Sequence, residues 1–322
     1  MKFNYFFAFS LVLIGSVLSL NAQSWQPLSS EEPNNDVRTL AVDGSGNVYL
    51  GGSFTSIGSN TIEKLAKFNG SNWSAVGGGL PLSNTSVQDI ESDASGNVYV
   101  ANGYFEFGCF CLVYYIHKWN GTSWTLVGEV YDASISKIEV NAAGHIYAMG
   151  DFNSISGVSA NKIAYFDGTN WQAMGAGIGT VGSMELLGNG DLYVANTTSA
   201  GGQSCSLAKW TGSAWTVLST DNFNASVLSM EEGASGDLYV AGTFTMVGSL
   251  SANRVAKWNG TSWSALGTGL DGLCQALLFD NGNLYAGGTF TEAGGCPQAS
   301  SPNGTAPLGR PWTQAYRALR PR

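Results

Sequence analysis

The stretch NVYLGGSFTSIGSNTIEKLAKFNGSNWSAVGGGL, residues 47–80, returns with few changes as DLYVAGTFTMVGSLSANRVAKWNGTSWSALGTGL at residues 237–270. Four further copies carry the same pattern with more variation. A tyrosine marks the start of each copy, at Tyr49, Tyr99, Tyr147, Tyr193, Tyr239 and Tyr285, so that the steps are 50, 48, 46, 46 and 46 residues. A period of this size, built from short apolar runs and glycine turns, is typical of propeller blades or of a solenoid.

Each repeat contains the pattern of four short strands. In the fifth copy the predicted strands are Val227–Met230, Asp237–Phe244, Val255–Trp258 and Trp263–Leu266, rich in branched and aromatic residues and separated by turn residues. Four strands in about 46 residues make a propeller blade. We therefore predict an all-β fold, a β-propeller with five whole blades and a partial sixth. A β-solenoid is the alternative, and it is disfavoured because solenoid coils usually run about 20 to 30 residues.

The turn between the third and fourth predicted strands is the sharpest local signal. It joins two aromatic residues through a glycine turn, as in WNGTSW at Trp258–Trp263. Asn-Gly and Asp-Gly accept the positive φ that tight hairpins require. The flanking aromatics can pair across the strands for roughly 0.5–1.5 kcal/mol beyond burial. We interpret these tryptophans as scaffold, in preference to an exposed stripe that stacks sugars or binds ammonium groups.

A pair of small residues closes the second strand, at Gly51-Gly52, Ala241-Gly242 and Gly287-Gly288, where backbones are expected to approach closely as blades converge. In this the chain resembles kelch and galactose-oxidase-type propellers. It is more similar still to secreted repeat proteins of Bacteroidetes-type bacteria and to the fungal bud-site cortical marker family, in which GGxFT, AKWNG and W-x-x-LG-x-GL recur in this order. The resemblance covers residues 24–295 and implies the propeller fold. It implies no single activity, because such propellers host enzymes, adhesins and scaffolds alike.

Residues 1–22 have the pattern of a secretion signal, with Lys2 before an apolar run at Phe6–Leu20 and a small-residue cleavage site ending at Ala22. That run falls short of the roughly 20 apolar residues that span a membrane, and we expect no membrane span in the mature chain. We therefore expect the protein to be secreted or held on the outer cell surface. The predicted propeller domain, residues 23–295, holds 9 Lys/Arg and 23 Asp/Glu. This charge makes nucleic acid and anionic lipid poor partners.

The composition changes after Gly295, since residues 296–322 contain four Arg, no acidic residue and five of the eight prolines. Synonymous codons for residues 296–318 can be chosen so that the neighbouring frame spells VSASIVAKWNGTSWSALDSGLQG, which repeats AKWNGTSW of Ala256–Trp263. We interpret the tail as the product of a frame shift. We also expect it to be disordered, because it buries too little apolar surface to offset its ordering entropy. Near the other end, Trp25–Leu28 is similar to a fourth strand and is expected to complete the last blade.

The five cysteines do not form an evident disulfide framework. Cys109 and Cys111 are too close in sequence for an unstrained mutual bridge, and Cys205 and Cys274 fall at non-equivalent positions of other repeats. We favour small buried hydrophobic residues over a bridge from Cys109 or Cys111 to Cys205.

No motif for a metal, a cofactor or catalysis stands out. The two histidines, His117 and His145, lack metal-ligand spacing, and a copper site of the galactose-oxidase type would need both of them together. The loops after Asp43 and Asp93 are similar to calcium loops, but they lack a bidentate acid twelve positions on and are expected to form Asx turns. We predict no metal site and no cofactor.

Repeat two departs from the pattern, because YFEFGCFCLVYYIH at Tyr104–His117 replaces the usual FTxxG linker. One interpretation is a lengthened strand buried against a neighbour. The other is an aromatic binding lip, since large exposed apolar patches tend to mark contact sites and aromatic side chains supply rigid contact area. The candidate ligand-binding residues are Tyr104, Phe105, Phe107, Phe110, Tyr114 and Tyr115.

The sequence thus favours a secreted or cell-surface, non-catalytic propeller that binds a carbohydrate or a protein through its loop face. The alternative is a secreted polysaccharide lyase or hydrolase with acids at the propeller axis. Acids from different blades meet only in three dimensions, so the sequence does not locate such a site.

Overall fold

The computed structural model describes residues 29–81, 86–108, 110–131, 133–233, 236–280 and 283–293, with the backbone of 296–297 and 314–317. In these ranges every regular element is a β-strand, and no helix capable of spanning a membrane occurs among them. The predicted signal peptide and the predicted strand Trp25–Leu28 lie outside the described residues. The chain divides into two compact units, residues 1–144 and 145–322.

The first unit holds the first two repeats and the start of the third. Its strands are β1 (Val37–Val42), β2 (Val48–Gly52), β3 (Ser56–Ile57), β4 (Asn60–Thr61), β5 (Leu65–Phe68), β6 (Trp73–Ala75), β7 (Val87–Ser92), β8 (Val98–Glu106), β9 (Cys111–Trp119), β10 (Trp124–Tyr131) and β11 (Ile135–Val140).

The second unit continues the pattern. Its strands are β12 (Ile146–Gly150), β13 (Ser154–Ile155), β14 (Val158–Ser159), β15 (Ile163–Phe166), β16 (Trp171–Ala173), β17 (Ser183–Leu186), β18 (Leu192–Ala195), β19 (Ser199–Ala200), β20 (Gln203–Ser204), β21 (Leu207–Trp210), β22 (Trp215–Ser219), β23 (Val227–Glu232), β24 (Leu238–Gly242), β25 (Met246–Val247), β26 (Leu250–Ser251), β27 (Val255–Trp258), β28 (Trp263–Ala265), β29 (Cys274–Asp280), β30 (Asn283–Gly288), β31 (Glu292–Ala293), β32 (Cys296–Pro297) and β33 (Gln314–Arg317).

Five antiparallel sheets have four strands each, and in each sheet the strands lie side by side in chain order. The sheet β23-β24-β27-β28 matches the four strands predicted for the fifth repeat to within two residues at every boundary. The prediction of an all-β propeller with four-stranded blades is therefore confirmed, and the solenoid alternative is wrong. A sixth sheet, β29-β30-β33, has three strands. Its last strand and β32 fall within the predicted tail, whose origin in a frame shift stays a prediction.

Within each unit the first strands of successive blades pack against one another, and we call them the inner strands. In the first unit β1 packs against β7 and β7 against β11, and in the second unit β17 packs against β23 and β23 against β29. Several of these strands begin with a β-bulge, as the register shifts at Val37/Thr39, Val87/Asp89 and Val227/Ser229 show. The residue after the bulge then faces the next blade.

A hydrogen bond joins successive inner strands at this position. The side chain just after the bulge accepts a bond from the backbone N–H of the next inner strand. The bonds run from Ile90 N to Thr39 Oγ1 (3.3 Å), from Ile138 N to Asp89 Oδ2 (2.9 Å) and from Leu277 N to Ser229 Oγ (3.1 Å). At this inner edge adjacent blades are thus joined through side chains. Elsewhere short backbone bridges, such as Ile178–Ala200 and Phe223–Val247, join the segment after one fourth strand to the small hairpin of the next blade.

The aromatic pairs of the glycine turns lie as predicted. Ring centroids are 4.9 Å apart for Phe68 and Trp73 and 5.2 Å apart for Trp258 and Trp263. Trp73 and Trp258 are buried, and the Trp263 indole N–H donates to Ser219 Oγ of the preceding blade at 3.1 Å. These rings therefore pack within and between blades, as the scaffold interpretation requires.

The loop that begins at Asp43 is an Asx turn. One carboxylate oxygen of Asp43 accepts from the backbone N–H groups of Ser45 and Asn47, and the other accepts from the Asn47 amide and the Tyr49 hydroxyl at 2.7 and 3.0 Å. Burial raises the pKa of Asp43, but the hydrogen bonds outweigh burial and leave that pKa below its usual value. Asp93 makes the same bonds in the second repeat.

The small residues that close the second strand are required by backbone crowding. A methyl group on Gly52 or Gly242 would collide with the carbonyl oxygen of Asp36 or Ser226, just before the first strand of the same blade. A methyl group on Gly51 would meet side chains of the next inner strand. The sequence predicted that backbones of different blades approach each other closely at these small residues. The tighter contact, at the second glycine of the pair, lies instead between two strands of one blade.

We expect Gly242→Ala to lower the free energy of unfolding by about 2 kcal/mol or more, because the obstacle is a backbone carbonyl that cannot rotate away. Chemical denaturation monitored by tryptophan fluorescence measures this. Gly44→Ala is the control, since a methyl group at Gly44 meets no atom within 4 Å, and it should change stability by less than about 0.5 kcal/mol. Equal denaturation midpoints for the two variants would contradict the crowding argument.

Candidate functional site

The second blade is longer than its neighbours. Strands β8 and β9 have nine residues each and β10 has eight. In the described part of the chain, other repeats place a small two-stranded hairpin after the second strand, namely β3-β4, β13-β14, β19-β20, β25-β26 and β31-β32. Repeat two instead continues its second strand to Glu106 and begins its third strand at Cys111. We call residues 103–114, which form this extension, the blade-two hairpin.

Cross-strand pairing decides which residues share a face of this extension. Residues directly opposite each other in a sheet point to the same side. One row is Tyr104, Val113 and Tyr131, and the next row inward is Asn102, Tyr115 and Glu129. Glu106, opposite Cys111, lies one row outward. We call the surface made by Tyr104, Tyr115, Tyr131, Glu106 and Glu129 the tyrosine face.

The tyrosine face combines aromatic rings with carboxylates. The rings of Tyr104 and Tyr115 are 6.4 Å apart, and the Tyr131 hydroxyl donates to Glu129 Oε2 at 3.3 Å. Tyr131 is 57% exposed, whereas Tyr115 is buried and Tyr104 is half-buried. The face is thus a partly sheltered aromatic surface with one open edge at Tyr131.

The carboxylates make this face electronegative. Burial raises the pKa of the Tyr115 hydroxyl, and the neighbouring Tyr131, Glu129 and Glu106 raise it further. The nearby Glu129 carboxylate is the main cause of the raised pKa of Tyr131. Both pKa values are raised, as expected for a phenol surrounded by negative charge.

The remaining candidates lie elsewhere on the hairpin. Phe105, opposite Leu112, and Tyr114, opposite Gly103, occupy the other face of the sheet. Phe107 and Phe110 lie at the turn and are 67% and 79% exposed.

The six residues predicted from sequence therefore do not form one surface. Tyr104 and Tyr115 come together on the tyrosine face, and Phe105 packs edge-on against Phe107 at 5.3 Å. The alternative of a strand buried against a neighbour fits Tyr115, yet the turn is open to solvent. Whether any of the six binds a ligand stays a prediction.

Sequence reasoning missed Tyr131 and Glu129, which reach the face from β10. A signal for them was present, since repeat two reads WTLVGEVY from Trp124 where the fifth repeat reads WSALGTGL from Trp263. Val130 replaces Gly269 of the fifth repeat, and the polar–apolar–aromatic run Glu129–Tyr131 indicates a fourth strand that continues.

One cysteine interpretation is wrong. Cys111 on the hairpin is disulfide-bonded. Cys205 and Cys274 are free and buried, as predicted, which also excludes a bridge to Cys205. Cys111 differs from these two because it lies in the partly exposed extension, outside the apolar core.

A buried polar pair lies beneath the tyrosine face. His117 Nδ1 and Asn102 Oδ1 are 2.9 Å apart, and both side chains are buried. The His117 ring is 5.6 Å from the Tyr115 ring. Burial lowers the pKa of His117 to about 4, so this imidazole is neutral at physiological pH.

Charged side chains also occupy the inner strands of the first unit. Lys137 and Glu139 on β11 form an ion pair at 2.8 Å. Asp89 on β7 accepts bonds from Thr39 Oγ1 and from the backbone N–H of Ile138. Burial raises the pKa of Asp89, and nearby Lys137 partly offsets that effect. In the described residues no three His, Cys, Asp or Glu side chains gather in a group that could hold a metal ion.

No protein-family model matches the chain, and comparison with curated proteins found no match. Solved structures do match. A streptogramin B lyase structure has a TM-score of 0.53 and 11% identity, covering 80% of this chain and 79% of that one. The structure of U3-55K has a TM-score of 0.50 and 12% identity, covering 79% and 74%. The extracellular domain of the hybrid two component system BT3049 from B. thetaiotaomicron has a TM-score of 0.48 and 14% identity, covering 80% and 32%. At these identities the likeness shows the propeller fold alone.

We expect His117 to make stability depend on pH. Its pKa lies below the ordinary value of 6.5, so the folded state gains stability from neutral His117 above pH 6.5. That stability is lost as pH falls toward about 4, by up to about 3 kcal/mol. Urea titrations at stepped pH measure the effect.

The variant His117→Gln should flatten the pH profile in this window, while His145→Gln, the other histidine, serves as the control. If wild type and His117→Gln lose stability in parallel between pH 6.5 and 4, the buried neutral imidazole is not the cause.

Proposed function

We propose that the protein is a secreted or cell-surface, non-catalytic propeller that binds its ligand through the loop face carrying the blade-two hairpin. Of the two ligand classes favoured by the sequence, carbohydrate or protein, the tyrosine face suits a carbohydrate better. The observation that carries this proposal is the row of Tyr104 and Tyr131 flanked by Glu106 and Glu129.

The chemistry of this row is that of sugar recognition. Aromatic rings offer rigid apolar area to the C–H face of a pyranose, and ionised carboxylates accept short, strong hydrogen bonds from hydroxyl groups. Binding sites for small ligands generally combine many apolar contacts with a few placed polar groups.

Several features support an extracellular location. The pattern of residues 1–22 is that of a secretion signal. The disulfide at Cys111 suits an oxidising compartment. On the basis of sequence resemblance, we further propose that the protein is related to secreted repeat proteins of Bacteroidetes-type bacteria, to kelch propellers and to the bud-site marker family.

A polysaccharide lyase or hydrolase is the second candidate. Asp89 favours it, because burial raises the pKa of this inner-strand carboxyl beside Lys137, and shifted carboxyl groups are suited to general acid catalysis. Against it, Asp89 accepts bonds from Thr39 and Ile138, which gives the carboxylate a structural role between blades.

We expect Tyr131→Ser and Tyr104→Ser each to weaken carbohydrate binding by about three- to tenfold, the cost of losing one aromatic contact. Binding is measured by isothermal calorimetry with a hit from a glycan array. The melting temperature of Tyr131→Ser should stay close to wild type, because that side chain is largely exposed.

Leu228→Ser, at an exposed apolar residue of β23, is the matched control and should bind as wild type does. Unchanged affinity in both tyrosine variants would remove the tyrosine face from the proposal. A loss in Phe107→Ser instead would move the site to the turn.

An assay for polysaccharide turnover distinguishes the two candidate functions. The purified protein, incubated with a panel of polysaccharides and no added cofactor, is expected to release neither new reducing ends nor unsaturated products. Product that disappears in Asp89→Asn, with folding retained, would support the enzyme and sink the non-catalytic proposal.

A further inference from the structure

The junction between the fourth and fifth blades contains one residue more than comparable junctions. In the third and fifth repeats, Ile178 and Leu270 bridge to the next small hairpin and lie seven residues after the tryptophan that opens the fourth strand. In the fourth repeat the bridging residue is Phe223, which lies eight residues after Trp215. The backbone between the two blades therefore follows a longer course here.

The same junction lacks a glycine that other repeats use. In the first and third repeats a glycine of positive φ follows the fourth strand and lies against a tryptophan of the next blade. A Cβ on Gly77 would lie 2.5 Å from Trp124 Nε1, for example. Ser219 occupies this position in the fourth repeat, where it extends β22 and accepts a hydrogen bond from the Trp263 indole N–H at 3.1 Å. A side-chain hydrogen bond thus takes the place of the close glycine contact.

A groove lies beside this hydrogen bond. Its volume is about 320 Å³, which falls within the range of roughly 300–1,000 Å³ found for small-ligand sites. We call it the junction groove. Its walls include Thr220 and Asp221 of the fourth repeat and Ser249, Leu250, Thr261 and Trp263 of the fifth.

We infer that the junction groove binds a neutral pyranose sugar. This site goes beyond the proposed function, because it lies in the second compact unit and shares no residue with the tyrosine face. It would hold a carbohydrate independently of the blade-two hairpin.

The groove offers hydrogen-bonding groups that the fold does not use. Asp221 takes part in the fold through its backbone, since its N–H donates to Ser219 Oγ at 3.1 Å and its carbonyl accepts from Ser206 Oγ at 2.7 Å. Among the described residues its carboxylate has no hydrogen bond or ion pair, and the hydroxyls of Thr220 and Ser249 have none either. These three side chains are exposed. A ligand with several hydroxyl groups can bind them without breaking a contact of the fold.

The groove also has a preformed aromatic wall. Trp263 and Leu250 are half-buried. The Trp263 ring is held by its bond to Ser219 and by ring contacts with Trp258 and Phe223, each at a centroid distance of 5.2 Å. An indole offers flat apolar area to the C–H face of a pyranose. Because the ring is already fixed, little ordering is required when a ligand binds.

Charge selects the class of sugar. Asp221 is the charged side chain of the groove, and no Lys, Arg or His of the described chain lines it. An anionic sugar would meet the Asp221 carboxylate with no cation to offset the repulsion. A quaternary ammonium would suit Asp221 and Trp263, but it has no group that can hydrogen-bond to Thr220 or Ser249. A neutral pyranose matches the aromatic wall, the hydroxyls and the carboxylate together.

The test uses the methyl glycosides of glucose, galactose and mannose as probes, with glucuronate and tetramethylammonium as charged comparisons. Saturation-transfer NMR on the purified protein detects binding, and isothermal calorimetry measures the affinity. At least one of the three glycosides should bind with a dissociation constant of about 1 mM, as expected for a ligand of this size. The two charged probes should not bind at that concentration.

Two variants locate the site. Asp221→Asn should lower the glycoside affinity by about three- to tenfold, because a hydrogen bond to a charged acceptor becomes a neutral one. Ser249→Phe should abolish binding by filling the groove. The matched controls are Glu292→Gln and Ser251→Phe, at exposed residues of the second unit that do not line the groove, and neither should change the affinity. Melting temperatures check that all four variants remain folded.

Tyr131→Ser separates this inference from the proposed function. Loss of glycoside binding in Asp221→Asn and Ser249→Phe, with Tyr131→Ser unchanged, supports the junction groove even if the tyrosine face binds no carbohydrate. Loss in Tyr131→Ser, with both groove variants unchanged, would assign the sugar to the tyrosine face and overturn the groove. Binding of glucuronate or tetramethylammonium in place of the glycosides, or of no probe at all, would also overturn the inference of a neutral sugar.

Discussion

Neighbouring blades in the described part of the chain are separate sheets, so the contacts between them are made by side chains and by short backbone bridges such as Ile178–Ala200 and Phe223–Val247. At the inner edge a residue just after the β-bulge accepts a hydrogen bond from the next inner strand, as Asp89 does from Ile138 at 2.9 Å. At the outer edge an indole N–H reaches back to the preceding blade, as Trp215 does to the Met174 carbonyl at 2.9 Å. Apolar side chains fill the space between these two polar links. Glycines are needed at the end of the second strand of a blade for the same reason, because this end must lie close to the bulge at the start of the first strand.

The second blade differs from the others in one part of this arrangement. In place of the small hairpin used in other repeats, β8, β9 and β10 are longer than the corresponding strands of the other blades. The middle strand of the extension is still covered, as the fully buried Val113 between Tyr104 and Tyr131 shows. The edge strand and the turn offer the exposed rings of Tyr131, Phe107 and Phe110. Surface of this kind is available for binding because the blade does not need it to pack.

Charge is scarce in this chain, at 11% of residues, and much of it has a structural task. Asp43 and Asp93 hold turns, and Lys209 and Lys257 pair with acids over tyrosine rings. Glu106 and Glu129 matter because they gather beside tyrosines in a part of the blade whose length exceeds what the scaffold uses.

The sequence by itself determined the repeat, the four strands of a blade and the aromatic hairpins, because alternation and glycine turns act over a few residues. It also pointed to the second repeat as the place of departure. Only the tertiary structure decided that Tyr104 and Tyr131 share a face, since this depends on the register of three strands and on a bulge between Leu126 and Gly128. The hydrogen-bond partners of Asp89 could not be predicted from the sequence either, because Thr39 and Ile138 are 50 and 49 residues away in the chain. Contacts of that range depend on how whole strands pack, and no local pattern records them.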